Sequence, residues 1–198
     1  MEDTMNLLIV YAHPNHESLN YAFYNKVIEG INANKKEITV KTLDLYKENF
    51  NPVLVHNQEK RRRDMATDVE LEIHRKQLLW ANKIVFIYPI WWGRPPAMLL
   101  GYFDRLLASG FAYQDKEKKI MPEGLLGNKD VICISTMKGP NNYIRLFLNN
   151  MHQVMMKKAV FSFIGIKKVK FFEFGSTEKK NGKQSRYLAK VKNHFEYI

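Results

Sequence analysis

The chain is poor in cysteine and in long apolar runs. Its one cysteine, Cys133, excludes an internal disulfide framework and a multi-cysteine metal site. It lies in the apolar run 131–134, which favours a buried structural thiol over a reactive one. No apolar run approaches the roughly 20 residues of a membrane span, and residues 1–12 lack the sections of a secretory signal. We therefore expect one domain over residues 1–198, cytoplasmic and without stable membrane insertion.

Acidic residues are also scarce. The chain has 20 Asp and Glu against 31 Lys and Arg, a net charge of +11. A basic chain suits nucleic acid, an acidic membrane face or anionic ligands. The basic residues lie in separate runs, and none forms a recognisable nucleic-acid module. We expect a solvated basic surface rather than nucleic acid as a partner, and the charge would favour a phosphorylated cofactor.

Several catalytic signatures are missing as well. There is no G-x-G-x-x-G fingerprint, no G-x-x-x-x-G-K-[ST] loop, no G-x-S-x-G elbow and no close carboxylate pair of the glycosidase type. His13 and His16 could be metal ligands, but two histidines three apart on a loop are weak evidence without a third ligand, so no metal site is predicted. The lack of an evident nucleophile favours a cofactor as the source of the chemistry.

Apolar strand-like runs alternate with amphipathic stretches along the chain. The predicted strands are Asn6–Ala12, Ile38–Leu43, Lys83–Tyr88, Asp130–Ser135 and Val169–Phe174. The predicted helices are Leu19–Ile31, Asp68–Trp80, Ala97–Ala108, Asn142–Lys158 and Lys179–Phe195, with loops over 46–66 and 109–128. This alternation predicts an α/β fold, a flavodoxin-like doubly wound sheet of five parallel strands in the order 2-1-3-4-5, with helices on both faces.

In such a sheet the ligand crevice lies beyond the carboxyl ends of strands one, three and four. The first loop, which starts at His13, joins a strand to a helix whose N-terminal amides form an anion site. Its polar residues, with Ser18 as the N-cap, suit a phosphate. An ordinary capped turn is the alternative.

The second loop starts at Pro89 and contains Trp91 and Trp92, a pair too costly to expose without a ligand or a partner to cover it. Its prolines predict a stiff, extended loop. Core or dimer packing of the indoles is the alternative.

The third loop starts at Ser135. In it, Lys138 is expected to steady negative charge and Tyr143 to donate a hydrogen bond. A solvated lysine and a half-buried tyrosine are the alternatives. A flat redox ring with a phosphate tail, a flavin, fits all three loops.

The sequence resembles the flavodoxin-like NAD(P)H:quinone oxidoreductases. This DT-diaphorase-like group includes bacterial drug- and nitro-reducing flavoproteins and ancillary subunits of some potassium efflux systems. The resemblance runs from about residue 6 to residue 174. It rests on the joint spacing of these motifs: Ala12-His13 with Ser18-Leu19-Asn20, Pro89-Ile90-Trp91-Trp92, Gly101-Tyr102-Phe103-Asp104-Arg105, Phe111-Ala112-Tyr113, and Ser135-Thr136 with Tyr143.

The resemblance implies a homodimer with two active sites at its interface. The residues expected to bind the cofactor are His13, Ser18, Leu19, Asn20, Pro89, Ile90, Trp91, Trp92, Gly93, Ser135, Thr136, Met137, Lys138 and Tyr143. Tyr143 is also the expected catalytic residue, because its match in the family is assigned a role in steadying the reduced flavin. The residues expected to bind substrate are Trp92, Ala112, Tyr113 and Gln114, the last three of them from the partner subunit.

The chain departs from the family pattern at three places. Met137-Lys138 replaces the usual Gly-Gly, and Asn149 replaces a histidine that works with the tyrosine; His152 is not at the equivalent position. The long C-terminal extension that helps to bind the adenine half of FAD is missing, which favours FMN and leaves FAD open.

The expected function is therefore two-electron reduction of quinones or related flat acceptors by NAD(P)H, through the flavin and by a ping-pong mechanism. Three alternatives stay open: an azo- or nitro-reductase with the same cofactor, a flavin-binding regulatory subunit of a potassium-efflux type membrane transporter, and a nucleic-acid-binding protein.

Overall fold

The computed structural model describes residues 4–117, 120–178 and 183–198. Its main sheet consists of five parallel strands: Met5–Tyr11 (β1), Ile38–Asp44 (β2), Lys83–Pro89 (β3), Asp130–Thr136 (β4) and Lys168–Phe174 (β5). The strands lie in the order β2-β1-β3-β4-β5. The predicted α/β class, parallel sheet and strand order are confirmed.

The helices are Leu19–Asn32 (α1), Glu72–Trp80 (α2), Ala97–Leu106 (α3), Asn141–Phe147 (α4), Met151–Val154 (α5) and Lys183–Glu196 (α6). One core packs α1 and α6 against one sheet face, and the larger core fills the other face. The central strands β1, β3 and β4 are buried over most of their length because both faces are covered. Along β1, Leu7 and Ile9 enter the first core while Leu8 and Val10 enter the second.

The predicted helix Asn142–Lys158 is wrong as a single element. It is divided into α4, α5 and a π-helical segment, Met155–Phe161. Between α4 and α5, Asn149 and Asn150 have φ angles of 47° and 53°. Two successive residues in the left-handed region cannot continue a right-handed helix, and Asn tolerates that region better than most residues.

Other parts of the chain contain short elements that the sequence pattern did not predict. The loop over 46–66 ends in a 3-10 turn, Arg62–Ala66, and the next predicted helix begins with another, Val69–Leu71, before α2. The connection over 109–128 contains the strand pair Tyr113–Gln114 and Glu123–Gly124. The predicted start of the last helix, residues 179–182, lies outside the described residues.

Within the described ranges, no helix has both the length and the apolar character needed to cross a membrane.

Candidate functional site

The three predicted loops meet at the carboxyl edge of the sheet. Asn20 Nδ2 donates to Thr136 Oγ1 at 2.8 Å, which joins the first loop region to the third. The Ile90 N–H donates to the Thr136 carbonyl at 2.7 Å, which joins the second to the third. The rings of His13 and Trp91 lie 6.1 Å apart, centroid to centroid, so the first loop also contacts the second. The three loops therefore form one site.

The N-terminus of α1 is a candidate anion site. Ser18 caps the helix as predicted: its carbonyl accepts from the Tyr21 and Ala22 amides at 3.0 and 3.1 Å, and its hydroxyl accepts from Tyr21 at 3.3 Å. Among the described residues, the first-turn amides of Leu19 and Asn20 have no main-chain acceptor, as is usual at a helix start. They lie at the positive end of the helix dipole.

Asn20 is 2% exposed, and within the described part of the chain its Oδ1 has no hydrogen-bond donor. A buried amide oxygen without a donor costs about 1–3 kcal/mol, so such a group is rarely left unpaired. Asn20 lies in the same turn as the anion site. A ligand that carries a hydrogen-bond donor beside its phosphate would satisfy this oxygen, and a flavin with its hydroxylated side chain fits.

His13 adds a donor to the first loop. Its Nδ1 lies 3.0 Å from both the N–H and the carbonyl oxygen of Asn15, so this edge of the ring is held by the loop and Nε2 is left for a ligand. Burial lowers the pKa of His13, which favours the neutral ring. His16 has different partners: its Nε2 lies 2.6 Å from Asp44 Oδ2, and its ring stacks on Tyr21. No group of three or more metal-ligating side chains occurs in the part of the chain that the structure covers.

The tryptophan segment is a tight turn. The Trp91 N–H donates to the Arg94 carbonyl at 2.9 Å and the Arg94 N–H returns a bond to Trp91 at 3.1 Å. The central residues, Trp92 and Gly93, have φ angles of 53° and 72°, as in a type I′ turn. The prediction of an extended loop is therefore wrong here. The prolines flank the turn: Pro89 ends β3 and Pro96 is the N-cap of α3.

Both indoles face outward, which contradicts core packing within the subunit. Trp92 is 91% exposed and Trp91 is 43% exposed. A Cβ added at Gly93 would lie 2.5 Å from Met151 Cε, so the turn packs closely against α5. The adjoining α4 exposes Leu146 and Phe147. The tryptophans thus belong to an apolar surface that a ligand or a second subunit can cover.

The third loop is hydrogen-bonded to the end of β5. The Met137 N–H donates to the Phe174 carbonyl at 2.9 Å, while the Met137 side chain is only 6% exposed and packs in the larger core. Ser135 is fully buried, and its Oγ has no partner among the described residues. Lys138 reaches outward, with Nζ 3.0 Å from the Glu178 carboxylate. Of the side chains in this loop, that of Thr136 therefore contacts the first loop, whereas Met137 lies in the core and Lys138 reaches solvent.

Tyr143 lies on the outer side of α4. It is 50% exposed, and its ring stacks on Phe147 with centroids 5.5 Å apart. Its hydroxyl is therefore available to a bound molecule.

The residues expected from a partner subunit lie elsewhere. Ala112 is fully buried, with its carbonyl accepting from the Leu125 N–H. Tyr113 packs edge-on against Phe163, and Gln114 donates to Glu123 at 3.1 Å. Their contacts are with the short strand pair and its surroundings rather than with the three loops.

Sequence analysis missed a buried polar chain behind the third loop. The Tyr88 hydroxyl lies 2.9 Å from His152 Nε2, and His152 Nδ1 lies 2.6 Å from Glu173 Oε1. Tyr88 and His152 are fully buried. The signals were a tyrosine in a buried strand, a glutamate in the apolar end of β5 and a histidine in a predicted helix. Nothing in their spacing indicated that they meet.

Burial is the largest cause of the pKa shifts of Tyr88 and Cys133. It raises the pKa of Tyr88 well above its usual value, with added contributions from Cys133 and Glu173. Burial also raises the pKa of Cys133 to about 12. The thiol is fully buried, so the predicted structural role of Cys133 is confirmed.

The sequence profile of the family described as "Flavodoxin-like fold" matches residues 5–195. The chain belongs to this family. Among its flavodoxin-like relatives, an uncharacterised NAD(P)H oxidoreductase of Haemophilus influenzae is 33% identical over 173 residues, which cover 86% of this chain and 84% of the relative. NAD(P)H dehydrogenase (quinone) 1 of Rattus norvegicus is 33% identical over 123 residues, 54% of this chain and 44% of the rat protein. That match therefore spans less than half of the rat protein.

The flavodoxin-like assignment extends to solved structures. The crystal structure of Smu.1420 from Streptococcus mutans superposes with a TM-score of 0.89 at 36% identity and covers 98% of this chain and all of that one. The family predicted from the motifs is therefore confirmed.

Proposed function

We propose that this protein is a flavin-dependent NAD(P)H oxidoreductase that reduces quinones or related flat acceptors. The observation that carries this proposal is the meeting of the three loops, through the Asn20–Thr136 and Ile90–Thr136 hydrogen bonds and the His13–Trp91 contact. The names of the Haemophilus and rat relatives, an NAD(P)H oxidoreductase and a quinone dehydrogenase, support it.

The residues of the first loop would hold the phosphate-bearing chain. The amides of Leu19 and Asn20 and the Ser18 hydroxyl would supply donors around one anion, and His13 would add another through Nε2 when the ring proton lies there. The buried Asn20 Oδ1 would accept from a hydroxyl of the side chain that carries this phosphate. This donor set fits FMN, and FAD contains the same unit.

The second and third loops would hold the ring. Pro89, Ile90, Trp91, Trp92 and Gly93 line one side, and the main chain of Ser135, Thr136, Met137 and Lys138 lines the other. Tyr143, on the exposed side of α4, would donate a hydrogen bond to the ring or to the acceptor. When bound, the flavin supplies the two-electron transfer between NAD(P)H and the acceptor, which use one pocket in turn. The protein orients both molecules and keeps water out.

We also propose that the protein is a cytoplasmic homodimer with sites at its interface. Trp92, Leu146 and Phe147 are uncovered in the single chain, with exposures of 91%, 69% and 74%. A second subunit that covers some of them would bring Ala112, Tyr113 and Gln114 over the pocket, where Trp92 and Tyr113 can stack on flat molecules. Mass measurement in solution tests the dimer.

The absorbance spectrum of the purified protein tests the function. A bound flavin is yellow, and acid release followed by mass identification tells FMN from FAD. Turnover is then followed with NADH and NADPH against a benzoquinone, an azo dye and a nitroarene. A colourless protein that stays inactive after FMN and FAD are added would contradict the proposal.

A second candidate is a non-catalytic flavin-binding subunit of a membrane transporter. It is favoured by Asn149, which stands where the resemblance implies a histidine and which has a φ of 47° in the break after α4. Flavin binding with negligible turnover, together with co-purification of a membrane protein, would select this candidate over the enzyme.

A further inference from the structure

Helix α4, which contains Tyr143, packs few of its side chains in the core. Of its residues only Ile144 is buried, at 6% exposure, whereas Tyr143, Leu146 and Phe147 are 50–74% exposed. A seven-residue helix with one buried side chain gains little from packing. Its place must therefore be set at its two ends.

The N-terminal end of α4 is tied to β5. Asn141, the first residue of the helix, donates through Nδ2 to the main-chain carbonyl of Glu173 at 3.1 Å. The loop just before it is fixed by the Ser176 N–H, which donates to the Gly139 carbonyl at 2.8 Å. A Cβ added at Gly175 would lie 2.2 Å from Asn141 Oδ1, so β5 and this end of α4 approach very closely.

The C-terminal end of α4 is tied to the same residue. The Asn150 N–H donates to the Ile144 carbonyl at 3.0 Å, which closes the helix and leads directly into α5. There His152 Nδ1 and Gln153 Nε2 contact the two carboxylate oxygens of Glu173, each at 2.6 Å. The main chain of Glu173 therefore holds the first residue of α4, and its side chain holds α5, which follows the other end of α4.

Tyr88 completes the arrangement. Because His152 Nδ1–H donates to the carboxylate, its Nε2 accepts from the Tyr88 hydroxyl at 2.9 Å. Tyr88 immediately precedes Pro89, where the ring-binding loop begins, and its register partner on β4 is Ser135, which pairs in turn with Glu173. One buried row across β3, β4 and β5 thus links the tryptophan loop, the third loop and α4.

We propose that Glu173 is a positioning residue of the site: it anchors both ends of α4 and, through His152 and Tyr88, sets the place of Tyr143 relative to the ring-binding loops. This inference rests on the proposed function. It predicts that loss of the Glu173 carboxylate loosens the C-terminal end of α4, while the main-chain bond to Asn141 remains, and that it disturbs turnover more than flavin binding, because the phosphate site at α1 would be built from other residues.

The test compares Glu173→Ala with Tyr88→Phe, which removes a single hydroxyl and keeps the ring, and with the control Lys168→Ala at the exposed start of β5. Hydrogen exchange of residues 141–150 is measured in flavin-free protein. We expect exchange about tenfold faster in Glu173→Ala, a smaller increase of the same kind in Tyr88→Phe, and none in the control.

The second readout is kinetic. A misplacement of about 1 Å at an active site can cost about a hundredfold in rate, so we expect Glu173→Ala to lower kcat/KM for the acceptor by about ten- to a hundredfold. The flavin dissociation constant should change less than about threefold, because the residues proposed to bind the phosphate-bearing chain lie at α1 and not at Glu173. Tyr88→Phe should shift kcat/KM in the same direction by a smaller factor.

Unchanged exchange over 141–150 in Glu173→Ala, or equal losses of flavin affinity and turnover, would overturn the inference. If Glu173→Ala does not fold, Tyr88→Phe decides with the same two readouts. A wild-type protein without flavin binding or turnover would contradict the proposed function instead. The exchange measurement needs no flavin and would still test the anchoring of α4.

Discussion

Asn20 and Thr136 lie 116 positions apart in sequence and share a 2.8 Å hydrogen bond, from the amide of one to the hydroxyl of the other. The bond connects the start of α1, where a phosphate would bind, to the end of β4, where a ring would bind. Because both side chains are nearly fully buried, the two halves of the site have a fixed separation. A ligand that bridges them meets a preorganised surface.

Asn20→Ala should therefore weaken flavin binding. It removes the bond to Thr136 and the buried Oδ1, and a hydrogen bond of about 1.4 kcal/mol corresponds to tenfold in affinity. We expect a loss of about tenfold or more, measured by quenching of flavin fluorescence.

The matched control for Asn20→Ala is Asn34→Ala, which removes a 3.0 Å bond to the Phe195 carbonyl far from the site. It should lower the free energy of unfolding without changing flavin affinity. Equal flavin affinities for wild type and Asn20→Ala would argue against the first loop as the phosphate site.

Trp92→Ala should change function with little change in stability. The indole is 91% exposed, and substitutions at such positions usually alter the free energy of unfolding by less than about 0.5 kcal/mol. Acceptor turnover should fall because a flat contact surface is lost.

Steady-state kinetics and thermal unfolding of the Trp92 variant, measured side by side, separate the two effects. If Trp92→Ala instead destabilises the protein and its folded fraction turns over as fast as wild type, the indole has a packing role, as at a subunit interface.

His194 should make the fold weaker in acid. Burial, and then the positive charges of Lys170 and Lys83, lower the pKa of His194 from 6.5 to about 4. Above pH 6.5 the histidine is neutral in both folded and unfolded chains. Between pH 6.5 and about 4 only the unfolded chain takes up the proton, so stability falls through this window.

His194→Gln removes this proton uptake. Urea unfolding at pH 7.5 and pH 5.0 should show a smaller acid loss in His194→Gln than in wild type, while the exposed His56→Gln should behave like wild type. An acid loss of the same size in all three proteins would show that His194 titrates normally in the folded state.

The break after α4 should depend on the residue type at position 149. Asn149 has a φ of 47°, a conformation that glycine adopts freely and that a β-branched residue adopts only with strain of about 1–3 kcal/mol. Asn149→Val should lower the free energy of unfolding by an amount in this range, and Asn149→Gly should be close to neutral. Indistinguishable urea midpoints for the two variants would mean that the segment adopts another conformation in solution.

The strands and their order followed from local patterns. Leu7–Val10 and Ile84–Ile87 are apolar throughout because both faces of the sheet are covered, and such runs are visible in sequence. The meeting of the three loops followed from topology, since the ends of adjacent parallel strands share an edge.

Features that depend on non-local contacts were not predictable in the same way. The apolar periodicity of residues 142–158 suits one helix, and nothing in it reports that Asn149 and Asn150 adopt left-handed angles. The Tyr88–His152–Glu173 chain depends on two strands and a helix at once. Hydrophobic patterning contains no information about which buried polar atoms pair.

The buried thiol of Cys133 also makes this protein convenient to label. With the chain's one cysteine out of reach in the sheet, a cysteine introduced at an exposed position such as Phe147→Cys would take a spin label or a fluorophore without background. A pair of such labels in an assembled dimer would report the span between its two pockets. The same probe would report whether the Tyr143 helix changes position when a substrate is added.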